Sequence, residues 1–284
     1  MKRILIIGKA SYIGESLKMW LDQYPEKYKV DIVNPKNQEW KKADFSQYET
    51  VVNLAGIAHI KKITDGMRNL FYSVNRDLSI EIATWAKEHG VKHFIVFSSM
   101  NVYGDYCDRI SNRNAEAPTS FYGDSKYQGD LGIRRLEDAH FLVAYMRPPF
   151  VYGRNCTGNY NSISRIAKKV PIFPTYKNMK SMIYIDNLCE FVRLVIDEAI
   201  GGILTPQNKE LVSTADLVRM IAKVNNHRIW FTSLFNWAIK PACKFTKSFR
   251  RAFSDDCYDP ELSVYFDNKY CIVSFENSIR VTEE

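Results

Sequence analysis

The chain has 284 residues, 46% of them hydrophobic, which is enough for a sizeable core in one large domain or two small ones. No apolar stretch approaches the roughly 20 residues of a membrane span, and the short run after Met1-Lys2-Arg3 breaks at Gly8, too soon for a secretion signal. The six cysteines form no CxxC pair, so the sequence suggests reduced thiols in a cytoplasmic protein, with no metal site and no disulfide framework. A formal charge of +7 leaves open a nucleic-acid binder or an enzyme for phosphorylated substrates; no RNP, zinc-finger or helix-turn-helix signature supports the first.

In chain order, residues 4–7 read as a buried strand, and Ile13, Leu17, Trp20, Leu21 and Tyr24 follow at helical spacing. Residues 30–33 and 50–54 read as the next strands. Leu70, Phe71, Val74, Leu78, Ile82 and Trp85 predict a long helix stopped near Gly90, and 94–97 and 141–145 are further strands. Such alternation predicts an α/β fold, a Rossmann-type doubly wound parallel sheet. After Pro148-Pro149 the pattern loosens. Residues 182–185 read as one more strand of the same sheet, with Asp186 opening a helix through Ile196. The expected organisation is a dinucleotide-binding domain over 1–153, to which 181–202 returns, and a smaller C-terminal substrate-binding lobe from 154–180 and 203–284.

The first strand-to-helix turn is Gly8-Lys9-Ala10-Ser11-Tyr12-Ile13-Gly14. Glycines here let backbone N–H groups and the helix N-terminus meet a pyrophosphate, with the last glycine allowing close helix packing. Ser11 stands where a GxxGxxG pattern would have its middle glycine. After the second strand come Asn34-Pro35-Lys36. A carboxylate there would bind the ribose diol of NAD, whereas a cation suits the 2′-phosphate of NADP. Neutral Asn34 repels neither, and Lys36 either reaches a phosphate or is a solvated loop lysine. Asp31 should point, by strand alternation, with Val33 and away from Asn34.

Tyr122 and Lys126 lie four apart, after a run from His93 to Phe97 that ends in Ser98-Ser99. On a helix that spacing puts phenol and ammonium on one face, where the positive charge should pull the tyrosine below its ordinary value of about 10 and make it a general base. The same spacing occurs at Tyr176/Lys180 and Tyr265/Lys269, so context rather than spacing singles out Tyr122.

The chain resembles the extended short-chain dehydrogenase/reductase family, the NAD-dependent epimerase/dehydratase group acting on nucleotide sugars. The residues carrying the resemblance are Gly8 to Gly14, Asp44-Phe45, Asn53-Leu54-Ala55-Gly56, Asn75, Ser98-Ser99 with Val102-Tyr103-Gly104, Tyr122 with Lys126, Arg147-Pro148-Pro149-Phe150-Val151-Tyr152-Gly153 and Tyr184-Ile185-Asp186-Asn187-Leu188. They cover about two-thirds of the chain in family order. The resemblance implies that Gly8, Ser11, Tyr12, Ile13 and Gly14 meet the pyrophosphate of NAD or NADP, Asp44 and Phe45 its adenine, and Ala55 and Gly56 a ribose, with Asn75 and Pro149 also on the cofactor. Lys126 would hold the nicotinamide ribose as well as tuning Tyr122.

The implied chemistry has Tyr122 accept the proton of a sugar hydroxyl, O4 by expectation, held by Ser99. A keto sugar results. An epimerase would return the hydride to the other face, in surface or capsular polysaccharide biosynthesis; a reductase would start from the keto sugar with Tyr122 as acid. In similar dehydratases an Asp-Glu pair carries elimination, and Met100 and Asn101 stand there instead, which ranks dehydratase last. Epimerase is placed first and reductase second; a cofactor-sensing regulator is disfavoured because both Tyr and Lys are present. Asn101, Asn159 and Lys180 join Ser99 and Tyr122 as candidate contacts to a nucleotide-diphosphate sugar. Similar proteins pair through the helix bearing the Tyr and Lys and the long helix before it, which implies a homodimer.

One feature lies outside the resemblance. Lys240, Lys244, Lys247, Arg250 and Arg251 cluster among Trp230, Phe231, Phe235, Trp237, Phe245, Phe249 and Phe253. This is a solvated basic helix face, a wall for a diphosphate, or a membrane-surface contact.

Overall fold

A computed structural model describes residues 1–58, 65–106 and 108–284. Strands β1 (Lys2–Ile7), β2 (Tyr28–Val33), β3 (Thr50–Asn53) and β4 (His93–Phe97) join Leu142–Met146 and Gly202–Leu204 in one six-stranded sheet. Its order is Gly202–Leu204, Leu142–Met146, β4, β3, β1, β2, and all its pairings are parallel. β1 is central to the N-terminal half: Ile4 pairs with Val30 on one side and with Thr50 on the other. Near-continuous apolar strands of this kind need cover on both faces, and Leu5, Ile7, Val51, Phe94 and Val96 are buried against Trp40, Ile82 and Ile133.

Helix α1 (Tyr12–Leu21) follows β1. The long helix expected before Gly90 is built in three parts: α2 (Asp65–Phe71), a π-helical stretch Tyr72–Leu78, and α3 (Ser79–Glu88). Its stop at Gly90 uses a left-handed φ of 79°, which glycine adopts freely. Helix α4 (Phe121–Arg134) is capped by Ser120, whose Oγ accepts from the Gly123 N–H. α4 lies close against the π stretch: a Cβ on Gly129 would stand 2.7 Å from the Asn75 carbonyl oxygen.

The expectation for residues 182–185 needs correction. Met182–Tyr184 does not extend the main sheet but pairs in parallel with Phe150–Tyr152, and the sixth strand is Gly202–Leu204.

The chain forms two compact units. The first holds Met1–Asp105, Ala115–Pro148 and Leu188–Pro206, and includes the whole six-stranded sheet; the second holds Tyr106–Asn114, Pro149–Asn187 and Gln207–Glu284. Segment 181–202, expected to return to the first domain as one piece, is thus divided between the two. The second unit contains three two-stranded parallel pairs and the helices Thr214–Val224 and Phe275–Glu283. Its interior includes Tyr152, whose hydroxyl bonds Ser278 Oγ at 2.6 Å and accepts from Asn208 Nδ2 at 3.0 Å. Among the described residues no helix is long and apolar enough to cross a membrane.

Candidate active site

The loop after β1 is closed by Ser11. Its Oγ accepts from Gly14 N–H at 3.0 Å and donates to the Gly8 carbonyl at 2.7 Å, so the serine in the middle-glycine position caps α1. A Cβ on Gly14 would stand 2.5 Å from the Gly8 oxygen, and one on Gly8 would stand 2.8 Å from Leu54 Cβ, so close approach demands both glycines. Ala10 adopts a left-handed φ of 68° and donates its N–H to Glu15 Oε1 at 2.9 Å. Tyr12 and Ile13 form the first turn of α1. Tight glycines at a helix N-terminus fit a pyrophosphate.

Asn34 Oδ1 accepts from the Lys36 N–H at 3.0 Å while the Lys36 side chain lies in solvent, and Asp31 accepts from the Tyr48 hydroxyl at 2.9 Å. Asp44 is engaged by Ser46 and Gln47, whose hydrogen bonds hold its carboxyl below the ordinary range. The Phe45 ring is fully buried in the core, 6.0 Å from Trp40, which leaves its backbone rather than its ring for a ligand. Ala55 N–H donates to Asn53 Oδ1 at 2.9 Å. Asn75, buried on the π stretch, accepts from Ile57 N–H at 2.8 Å and donates to Ser125 Oγ at 3.0 Å.

Ser99, Tyr122 and Lys126 come together at the carboxyl end of β4. Ser99 caps the 3-10 turn Met100–Tyr103; its Oγ donates to Asn101 Oδ1 at 3.0 Å and accepts from Asn101 N–H at 3.2 Å. Ser99 is also near enough to the Tyr122 phenol to favour its ionised form. Lys126 Nζ donates to the Phe97 carbonyl at 2.8 Å, and it lies so close to Gly56 that a Cβ there would stand 2.7 Å away. A ribose edge fits against such a side-chain-free position beside an ammonium.

The electrostatics correct the reading from spacing. Burial pushes the Tyr122 phenol above its ordinary value; Ser99 opposes this, and the Asp105 carboxylate adds to it. Lys126 is itself lowered to about 8 by burial, partly offset by Asp130. Tyr122 and Lys126 share a helix, but desolvation rather than the lysine's charge sets the direction of the phenol's shift. At neutral pH the phenol carries its proton and the ammonium remains largely charged.

Two partners went unnoticed in the sequence. Asp105 accepts from Asn101 Nδ2 at 2.7 Å and from Ser120 Oγ at 3.1 Å, so it orients the amide that faces Ser99. Asp130, one turn after Lys126, accepts from Ser98 Oγ at 2.8 Å and from Arg147 Nη2 at 3.1 Å. Arg147 is fully buried; it also bonds Glu116 at 3.0 Å and the Tyr103 hydroxyl at 2.8 Å. Burial would raise Glu116, but hydrogen bonds from Arg134 and Arg147 win and bring it down to about 2. An Asp at i+4 from the lysine was a readable signal for one partner; Arg147 lies too far along the chain for spacing to reveal it.

The remaining candidates belong to the second unit. Asn159 opens the helix Asn159–Ala167 behind Gly158. Lys180 exchanges backbone hydrogen bonds with Val212 at 3.0 and 3.1 Å, and its ammonium stands 5.8 Å from the Tyr106 ring centre. Pro149 opens the unit's middle segment.

Residues 4–204 match the model of the NAD dependent epimerase/dehydratase family. The chain belongs to that family. A UDP-glucose 4-epimerase from Vibrio cholerae is 29% identical over 201 residues, which is 67% of this chain and 61% of that protein. An N-acetyl-alpha-D-glucosaminyl-diphospho-ditrans,octacis-undecaprenol 4-epimerase from Escherichia coli O157:H7 is 26% identical over 70% of this chain and 64% of its own length. The chain thus aligns with a little over three-fifths of the curated epimerases it matches. In fold it is similar to UDP-glucuronic acid 4-epimerase from Bacillus cereus, solved in complex with NAD, with a TM-score of 0.75 at 16% identity, covering 99% of this chain and 95% of that one. This epimerase/dehydratase-family chain therefore carries the fold over its whole length and the family's sequence pattern over its first two-thirds.

Proposed function

We propose that this family member is an NAD(P)-dependent nucleotide-sugar 4-epimerase that works through a 4-keto sugar, in the assembly of surface or capsular polysaccharide. The observation that carries the reading is that Ser99, in the turn after β4, acts on the Tyr122 phenol while the buried Lys126 sits one turn further along the same helix, because those two hydroxyls can hold one sugar oxygen and move its proton. Gly8, Ser11, Tyr12, Ile13 and Gly14 would bind the cofactor pyrophosphate, Asn34 and Lys36 the ribose edge, Asp44 and the Phe45 backbone the adenine, and Ala55, Gly56, Asn75 and Lys126 the rest, with Pro149 from the second unit. Ser99, Asn101 and Tyr122, and in the second unit Asn159 and Lys180, are the proposed substrate residues.

The chemistry that a bound nicotinamide supplies is acceptance and return of the C4 hydride. Ser99 fixes O4. The protonated phenol that burial favours is the form that gives a proton back to O4; taking one away needs phenolate, which each positive charge placed beside Tyr122 promotes. The family's curated epimerases support the first reading. The raised phenol supports a second, a 4-keto-sugar reductase with Tyr122 as acid. A homodimer is part of the same proposal.

Mass and absorbance of any nucleotide that co-purifies, followed by proton NMR of UDP-glucose and UDP-N-acetylglucosamine incubated with the protein, test it. Bound NAD and appearance of the C4 epimer are expected. A site filled only by NADPH, with reduction of a 4-keto sugar and no epimer, would replace the first reading by the second.

A further inference from the structure

The basic aromatic segment has a defined shape within the second unit. Helix Asn236–Phe245 ends at Thr246, and the same residue caps Lys247–Phe253, its Oγ1 accepting from Phe249 N–H at 3.3 Å. Few residues of the pair face inward: Ile239 and Phe253 are buried, and Phe253 packs 5.9 Å from Phe173 and 6.0 Å from Tyr176. Asn178 Nδ2 donates to the carbonyls of Ala252 at 3.2 Å and Ser254 at 3.1 Å, and Thr214 Oγ1 donates to Ala252 as well. The pair is therefore anchored to its unit.

Its outer face is the opposite of what a water-facing surface requires. Trp237 is 80% exposed and Phe245 86%, with Trp230, Leu234, Phe235 and Phe249 also in solvent. Lys240 and Lys244 follow Trp237 at i+3 and i+7, on the same helix face. Lys247, Arg250 and Arg251 continue the charge, and residues 230–253 include no Asp or Glu. The recorded partners of the two arginines are neutral: Arg250 Nε meets the Cys243 carbonyl at 3.1 Å and Arg251 Nε the Tyr106 hydroxyl at 3.4 Å.

Large exposed apolar groups mark an absent partner. Aromatics interleaved with cations and no anions suit a layer that is apolar beneath and negatively charged on top. We propose that this face docks on a bilayer rich in anionic phospholipid, with Trp237 and Phe245 entering the headgroup region and Lys240, Lys244 and Lys247 meeting lipid phosphates. The contact lies on the membrane and does not cross it. It goes beyond the catalytic reading and stands or falls without it.

Sedimentation of the full chain with vesicles of phosphatidylcholine, with and without phosphatidylglycerol, tests it. The protein should pellet with the phosphatidylglycerol vesicles at low salt and be released as salt screens the lysines. Joint replacement Lys240→Glu, Lys244→Glu and Lys247→Glu should weaken binding by about 100-fold or more, since each cation near an anionic surface contributes about a factor of five. Trp237→Ser with Phe245→Ser should weaken it at low salt too, with the melting temperature unchanged; Lys244→Glu alone is the milder variant if the triple one does not fold. No pelleting with phosphatidylglycerol, or equal pelleting of all variants, would overturn the inference. Release by pyrophosphate at constant ionic strength would also overturn it, by showing a site for free diphosphate, and so would preferential binding of single-stranded RNA.

Discussion

The carboxyl end of β4 and the helix pair at 236–253 place charge in opposite ways. Around β4, Lys126, Asp130 and Arg147 are buried, and each meets a named hydrogen-bonding partner. Around Trp237 the cations lie in water and so do the rings. Buried charge is costly unless paired, so the first region must be preorganised before any ligand arrives. The second region is stable without a partner but leaves apolar area uncovered. In the one the protein itself supplies complementarity; in the other something outside must.

That contrast breaks first at Arg147. Arg147→Met leaves the buried Asp130 without its hydrogen-bonded cation and Glu116 with Arg134 alone, and thermal or urea unfolding should show a loss of about 3–5 kcal/mol. Lys244→Ala should stay within about 0.5 kcal/mol of the native protein. Equal effects at the two positions would erase the distinction between them.

His93 sharpens it through pH. Burial lowers its imidazole to about 4, against a hydrogen bond from Nε2 to the Ile200 carbonyl at 3.1 Å that favours the charged form. An unfolded histidine titrates near 6.5. Between pH 6.5 and 4 the unfolded chain therefore binds a proton that the fold excludes, and stability should fall by up to about 3 kcal/mol as the pH drops through that window. Above pH 6.5 the contribution is fully present. His93→Asn should flatten this part of the stability profile, which denaturant titrations at several pH values would show.

Smaller effects belong to the cofactor loops. With neutral Asn34 and exposed Lys36, NADP(H) should bind no more than about tenfold worse than NAD(H) by calorimetry, and Asn34→Asp should shift preference toward NAD, because a carboxylate bonds the ribose diol and repels the phosphate. The smallest expected change is Ala10→Gly. It relieves a left-handed alanine but loosens the unfolded chain, so stability should move by less than about 1 kcal/mol.

How much of this was legible depended on how local the cause was. β1, β3 and β4 could be read because strands inside the sheet, covered on both faces, are apolar nearly throughout, whatever their neighbours. Met182–Tyr184 looked the same, but three apolar residues do not say which strand they pair with, and Gly202–Leu204 begins with a residue that strands disfavour. At the site, i,i+4 spacing put Tyr122 and Lys126 on one helix. The sign of the tyrosine's shift followed from how dry the surroundings are, from Ser99 and from Asp105, none of which spacing reports. The Arg147–Asp130 pair was equally hidden, because its members meet only once the sheet is assembled.

The central claim is that the Tyr122 hydroxyl carries the proton. It is tested most directly by comparing single-turnover rates of the native protein and Tyr122→Phe on a nucleotide sugar the native protein converts, with cofactor affinity measured alongside. The account predicts a loss of about 10²- to 10⁴-fold in rate with cofactor affinity retained. Native turnover in Tyr122→Phe would contradict it.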